Sequence, residues 1–187
     1  LHSTSRRQRQ MCIRDSNNTF IFRNDHHKLT LYYQPVIYDT DECSVNGISL
    51  IRNNSIPVFT GDNDDNRSGG HYYSPDYLIK VEDDSSVRYL ILDAKFSDFV
   101  CVRRHHVKNL AFKYLFSMSP IRPTESIVGL CLIYGKCDAS EQMQSAYDKR
   151  LHGQQIMPAT ELLPLIEGVA NEGHYSKLDA LMRTVIT

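Results

Sequence analysis

Ser74-Pro75-Asp76-Tyr77-Leu78-Ile79-Lys80 and, after a short polar turn, Tyr89-Leu90-Ile91-Leu92-Asp93-Ala94-Lys95 decide how the rest of this chain is read. Both are apolar, strand-like runs with charge at their ends. Tyr72 to Val81 reads as one strand, Glu82 to Ser86 as the turn, and Val87 to Phe96 as the returning strand. The unbroken Tyr89-Leu90-Ile91-Leu92 suits a central strand covered on both faces. Asp93 and Lys95 are two apart, so their side chains leave the same face. Burying such charge is costly unless it serves a site.

Outward from this pair, Val102 to Met118 has helical spacing, with Val107, Leu110, Ala111, Tyr114 and Leu115 as an apolar stripe. Pro120 and Pro123 follow as stop signals. Ser126 to Tyr134 reads as another buried strand. Upstream, Lys28 to Tyr38 alternates as a strand, Asn46-Gly47 signals a turn, and Ile48 with Leu50 marks a short strand. The last two strands could pair as a hairpin. Asn17 to His27 is polar and undecided. Glu141 to Leu151 fits a helix or an excursion, and Pro164 leaves Thr160 to Ile166 undecided. Lys177 to Val185 reads as a C-terminal helix. Strands followed by a helix, a strand and further helices indicate an α/β domain with a mixed central sheet flanked by helices.

The chain has 187 residues, 41% hydrophobic and 23% charged, an ordinary globular profile with room for one core. No apolar run approaches the roughly 20 residues of a membrane span, no secretory signal is evident, and a cytoplasmic location is expected. Arg6 to Ser16 resembles a translated sequencing-library adapter of the transposon-end type. Residues 1–16 are therefore set aside, leaving 17–187 as the domain and a fragment of a longer protein as the expectation. Without the four Arg and one Asp of that segment, net charge moves from −1 to −4. Any nucleic-acid binding must then come from a local patch. Cys43, Cys101, Cys131 and Cys137 form no C-x-x-C pair and read as reduced, mostly buried thiols.

Two carboxylates and an ammonium are what metal-assisted phosphodiester hydrolysis needs. A hard cation such as Mg²⁺ binds carboxylate and carbonyl oxygens, acidifies water and screens charge on the transition state. Asp76 and Asp93 could hold it, the Ala94 carbonyl could add a ligand, and Lys95 could orient the attacking water or stabilise developing charge. Pro75-Asp76, a strand, a turn and Asp93-Ala94-Lys95 resemble the PD-(D/E)xK nuclease superfamily, of restriction-endonuclease-like fold. Ile91-Leu92-Asp93-Ala94-Lys95-Phe96 looks most like its McrC-type branch. The resemblance covers Tyr72 to Phe96 and extends to about Tyr134. It implies Mg²⁺- or Mn²⁺-dependent cleavage of DNA, with Asp76 and Asp93 as metal ligands, Lys95 as the catalytic lysine, and a motor or other prokaryotic defence protein as partner. Many members carry a further acid on a preceding helix. Glu42, the only Glu between Ser16 and the motif, lies in a loop.

Arg103, Arg104, His105, His106 and Lys108 open the following helix and Lys113 comes later in it. Arg103, Arg104, His105, Lys108 and Lys113 are candidates for gripping phosphates. Lys113-Tyr114 resembles a Lys-Tyr pair that recurs in related nucleases. Gly61 to Gly70 superficially suggests a calcium loop, but Arg67 and Tyr73 stand where Gly and Glu are required. His26-His27 and His105-His106 make no natural chelate, since adjacent side chains diverge. The competing class is a catalytically inactive nuclease-like scaffold that binds nucleic acid or a partner protein.

Overall fold

The computed structural model describes residues 18–23, 26–38, 47–53, 72–138, 140–147, 158–165, 179 and 181–183. Eleven strands fall within them. β1 is Thr19–Arg23, β2 Lys28–Tyr33, β3 Ile37–Tyr38, β4 Leu50–Arg52, β5 Tyr72–Tyr73 and β6 Tyr77–Glu82. β7 is Val87–Asp98, β8 Met118–Pro120, β9 Glu125–Lys136, β10 Gln144–Ser145 and β11 Ala159–Pro164. One helical segment, α1 at 99–116, joins α turns (Phe99–Cys101, Val107–Ala111) to π turns (Val102–His106, Phe112–Phe116). Backbone at Asp179 and 181–183 is also helical, braced by Arg183 Nε donating to Asp179 Oδ2 at 3.0 Å.

Seven strands make one sheet in the order β1-β2-β6-β7-β9-β11-β10. β7–β9 and β9–β11 run parallel, and the other pairs are antiparallel. The sheet is therefore mixed, and with α1 joining β7 to β9 the domain is α/β. The expected hairpin is β6–β7, in register from Tyr77↔Leu92 to Glu82↔Val87.

β7 is central because both its faces are apolar. Tyr89 and Ile91 pack with Val102, Leu110 and Tyr114 of α1, while Leu90 and Leu92 pack with Val81, Cys131 and Leu163 on the far side. Leu90 and Ile91 are fully buried, each worth about 1.5–3 kcal/mol relative to exposure. The step of five from Val102 to Val107 overshoots a 3.6-residue turn. The wider closure, Val107 N–H to Val102 C=O, keeps both residues on the sheet side.

Several expectations change. Tyr72–Val81 is two strands, split at Ser74-Pro75-Asp76, because Pro75 has no N–H for a ladder. Lys28–Tyr38 breaks after Tyr33, where Gln34 takes a φ of +48°. Leu50–Arg52 does not form a hairpin with β2, whose two edges are taken by β1 and β6; it pairs with β8. The undecided Asn17–His27 contains edge strand β1. Thr160–Ile166 overlaps β11, where Pro164 is tolerated as the last residue. Glu141–Leu151 shows no helix in its described part, only β10. Cys131 is buried but Cys101 and Cys137 are half-buried, and Cys43 lies outside the described residues. So do Glu42, the Gly61–Gly70 loop, residues 1–17 and most of Lys177–Val185. Among the described residues no helix is long and apolar enough to cross a membrane.

Polar side chains tie the segment before β4 to the sheet. Lys80, 7% exposed, donates to the Gly47 carbonyl at 2.8 Å and pairs with Glu82 at 3.0 Å. Ser49 N–H donates to Tyr89 Oη at 3.1 Å, and that hydroxyl donates to Glu125 Oε2 at 3.3 Å. Lys80, Ser49 and Tyr89 thus find partners for their buried polar groups, as desolvation requires.

Candidate active site

β6 begins at Tyr77, opposite Leu92, so among the described residues the β7 edge facing it has no strand partner beyond that point. Asp76 fills the gap. Its Oδ2 accepts the Ala94 N–H at 2.7 Å, and its backbone carbonyl accepts the Gln34 N–H at 2.8 Å. The left-handed backbone of Gln34 is a sparsely populated state for a residue with a side chain. Here it aims an N–H at Asp76.

Asp93 lies on the α1 face of β7 and is 4% exposed. Both its oxygens are engaged. Oδ1 is ion-paired with Lys95 Nζ, and Oδ2 accepts the Tyr114 hydroxyl at 3.0 Å. Tyr114 is fully buried and its hydroxyl also lies 3.4 Å from the Ser74 carbonyl. Burial raises the Tyr114 pKa, and the charge of Asp93 raises it further. The phenol therefore stays a proton donor to the carboxylate.

Lys95 Nζ also lies 3.3 Å from the Ala94 carbonyl. The ammonium thus bridges Asp93 and Ala94, two of the three expected cation ligands. Lys113 brings a second ammonium, half-buried, 4.7 Å from the Tyr114 ring centre and 5.2 Å from that of Tyr73. Burial lowers its pKa; Asp93 pulls it up, Lys95 pushes it down and Asp76 pulls it up. Lys113 therefore belongs electrostatically to the same cluster. Arg103, Arg104, His105 and Lys108 are exposed on the earlier turns of α1, with Arg103 5.9 Å from the Phe99 ring centre.

The donor set suits a hard divalent cation: two carboxylates and a main-chain carbonyl, all oxygen, with a positive charge already held by two of them. No cluster of three His, Cys, Asp or Glu forms among the described residues. A cation held by two carboxylates and one carbonyl would fill the rest of its coordination sphere with water, as Mg²⁺ does.

The structure thus gathers Asp76, Asp93, Ala94, Lys95 and Lys113. It adds Tyr73 and Gln34, which sequence reading did not assign to the site, and Tyr114, which it noted only as half of a Lys-Tyr pair. Tyr114 had a signal, since a tyrosine in a buried stripe must find a partner for its hydroxyl. Gln34 had none, because its role is made by backbone conformation. Comparison with protein-family models and with curated proteins returns no match for this chain.

Proposed function

We propose that this domain is a metal-dependent nuclease of the PD-(D/E)xK type, with a restriction-endonuclease-like fold and DNA as substrate. The observation that carries the reading is the convergence of Asp76, Asp93 and Lys95 at one sheet end, with Asp76 locked onto the Ala94 N–H at 2.7 Å. The β6–β7 hairpin followed by α1 and the parallel strand β9 is compatible with that fold.

Asp76, Asp93 and the Ala94 carbonyl would hold Mg²⁺ or Mn²⁺. When bound, the cation supplies charge stabilisation to the phosphoryl group and acidifies water at the site. Tyr114 orients Asp93 by donating to Oδ2, leaving Oδ1 to change partners. Lys95, once released from Asp93, presents its N–H groups to developing negative charge. Lys113 adds a second positive charge from α1, and Arg103, Arg104, His105 and Lys108 extend the basic surface toward the phosphates. A motor or other defence-system protein is the partner this reading implies.

The test is conversion of supercoiled plasmid to nicked or linear form with Mg²⁺ or Mn²⁺. Wild-type protein is expected to cut, and Asp76→Ala, Asp93→Ala and Lys95→Ala each to lose at least a hundredfold. Cleavage that survives in Asp93→Ala and Lys95→Ala refutes the assignment. The ion pair of Lys95 with Asp93 favours one other reading, a nuclease-like scaffold closed by that pair, which binds nucleic acid or a partner protein without cutting. It predicts binding without cleavage under any divalent ion.

A further inference from the structure

A cleft of about 390 Å³ meets the candidate site at Asp76 and Lys95. Its other walls are Tyr33, Tyr77, Phe96, Ile133 and Leu165, with Gly135 beside Phe96. Tyr77 and Ile133 pack against the core layer of Leu90 and Leu92, on the side of the sheet away from α1. Strand alternation sends Phe96 to that side too, opposite Lys95. The cleft and the Asp93 carboxylate therefore lie on opposite faces and meet where the sheet ends.

Phe96 is 85% exposed, on the outer part of β7 where the buried run has ended at Asp93. The strand also bulges here. Three steps of β7, Lys95 to Asp98, span two of β9, Tyr134 to Lys136. The extra residue disrupts the ladder and re-aims side chains there. The Phe96 ring rests against Gly135, where an added Cβ would lie 3.5 Å from it. Lys136 Nζ stands 5.1 Å from the ring centre. Across the cleft, the Tyr33 and Tyr77 rings are 5.3 Å apart, and Tyr33 is 38% exposed.

Exposed rings beside ammonium groups are what single-stranded nucleic acid selects, with a base on the ring and a phosphate on the cation. In a duplex the bases stack on one another and offer no open face. Among the described residues Asp76 is the one acid in the cleft lining, at the mouth shared with the site, while Lys95 and Lys136 stand at the rim. We propose that the cleft holds an unpaired nucleobase of the strand whose phosphodiester lies at Asp76 and Lys95. The substrate is then single-stranded or locally unpaired nucleic acid. This rests on the nuclease reading for the position of the phosphate, and on the cleft alone for the base.

The experiment measures binding of a fluorescein-labelled oligothymidylate and of a hairpin duplex of equal length by anisotropy, in Ca²⁺. Wild-type protein is expected to prefer the single strand. Phe96→Ala should weaken single-strand binding about tenfold, the lower range for one base–aromatic stack. Duplex binding should be unchanged, and Phe96→Tyr should restore the single strand. Phe112→Ala, which removes an exposed ring of α1 outside the cleft lining, should change neither. If Phe96→Ala weakens both ligands equally, or neither, the cleft assignment is wrong, and plasmid cutting then reports separately on the nuclease reading. Single-strand binding through Phe96 with no cleavage under Mg²⁺ or Mn²⁺ keeps the cleft and removes the nuclease. Failure of wild-type protein to bind either ligand overturns both.

Discussion

Replacing Lys95 by Met should weaken the fold and strengthen metal binding at once. The ammonium pairs with Asp93, whose side chain is 6% exposed, and lies 3.3 Å from the Ala94 carbonyl. Removing one partner of a fully buried pair costs about 3–5 kcal/mol. The Lys95 side chain is 27% exposed and Asp93 keeps its Tyr114 hydrogen bond, so about 1–3 kcal/mol is the expected loss. For a chain of this size that lowers Tm by roughly 2–12 °C. A divalent ion that uses Asp93 and Ala94 must displace the ammonium in the wild type but not in Lys95→Met. Sparing it that displacement is worth roughly 1.4–3 kcal/mol, or about 10- to 100-fold in Kd. Calorimetric titration with Mn²⁺ reads the affinity, and melting with and without Mn²⁺ reads the stability. Cleavage should fall while affinity rises, a combination that general unfolding cannot produce. A folded Lys95→Met protein that binds Mn²⁺ no more tightly than wild type refutes the idea that ammonium and cation share these oxygens.

Tyr114→Phe removes the 3.0 Å hydrogen bond to Asp93 inside the core; about 1–3 kcal/mol of stability should go with it, and urea unfolding within 0.5 kcal/mol of wild type would contradict the orienting role. The Cys131 thiol is buried and its pKa is pushed from 9.0 up to about 12 by burial, then by the charge of Glu161. The folded state therefore holds this proton more tightly than the unfolded chain does. Its contribution is intact below pH 9 and is lost as pH rises from 9 toward about 12. At pH 8 a thiol reagent should label half-buried Cys101 and Cys137 well before Cys131, and equal labelling of all three, read by peptide mass spectrometry, would show that the core there is open.

The order of elements around the hairpin was legible because local pattern and tertiary role agree there. Tyr89-Leu90-Ile91-Leu92 has no polar face, so it had to be covered on both sides, and it is. The helix after it carried a visible stripe. Pairing was less legible. Nothing local in Leu50–Arg52 says that it joins β8, a segment far along the chain, instead of β2. β1 and β11 were undecided because short strands are stabilised by neighbours more than by their own residues.

The same division runs through the candidate site. By itself the sequence determined that Asp93 and Lys95 share a strand face, because a period of two leaves no alternative; that Asp76 stands just ahead of the neighbouring strand was decided by the structure. Tertiary structure decided what those groups touch: the Ala94 N–H closing on Asp76, Tyr114 and Lys113 arriving from α1, and Gln34 bracing Asp76 through its backbone. It also decided that Phe96 stands in the open beside them, on a stretch of β7 that bulges against β9. Periodicity is a property of one segment of chain. Hydrogen-bond partners, desolvation and the register of a parallel strand exist only once distant segments have been brought together.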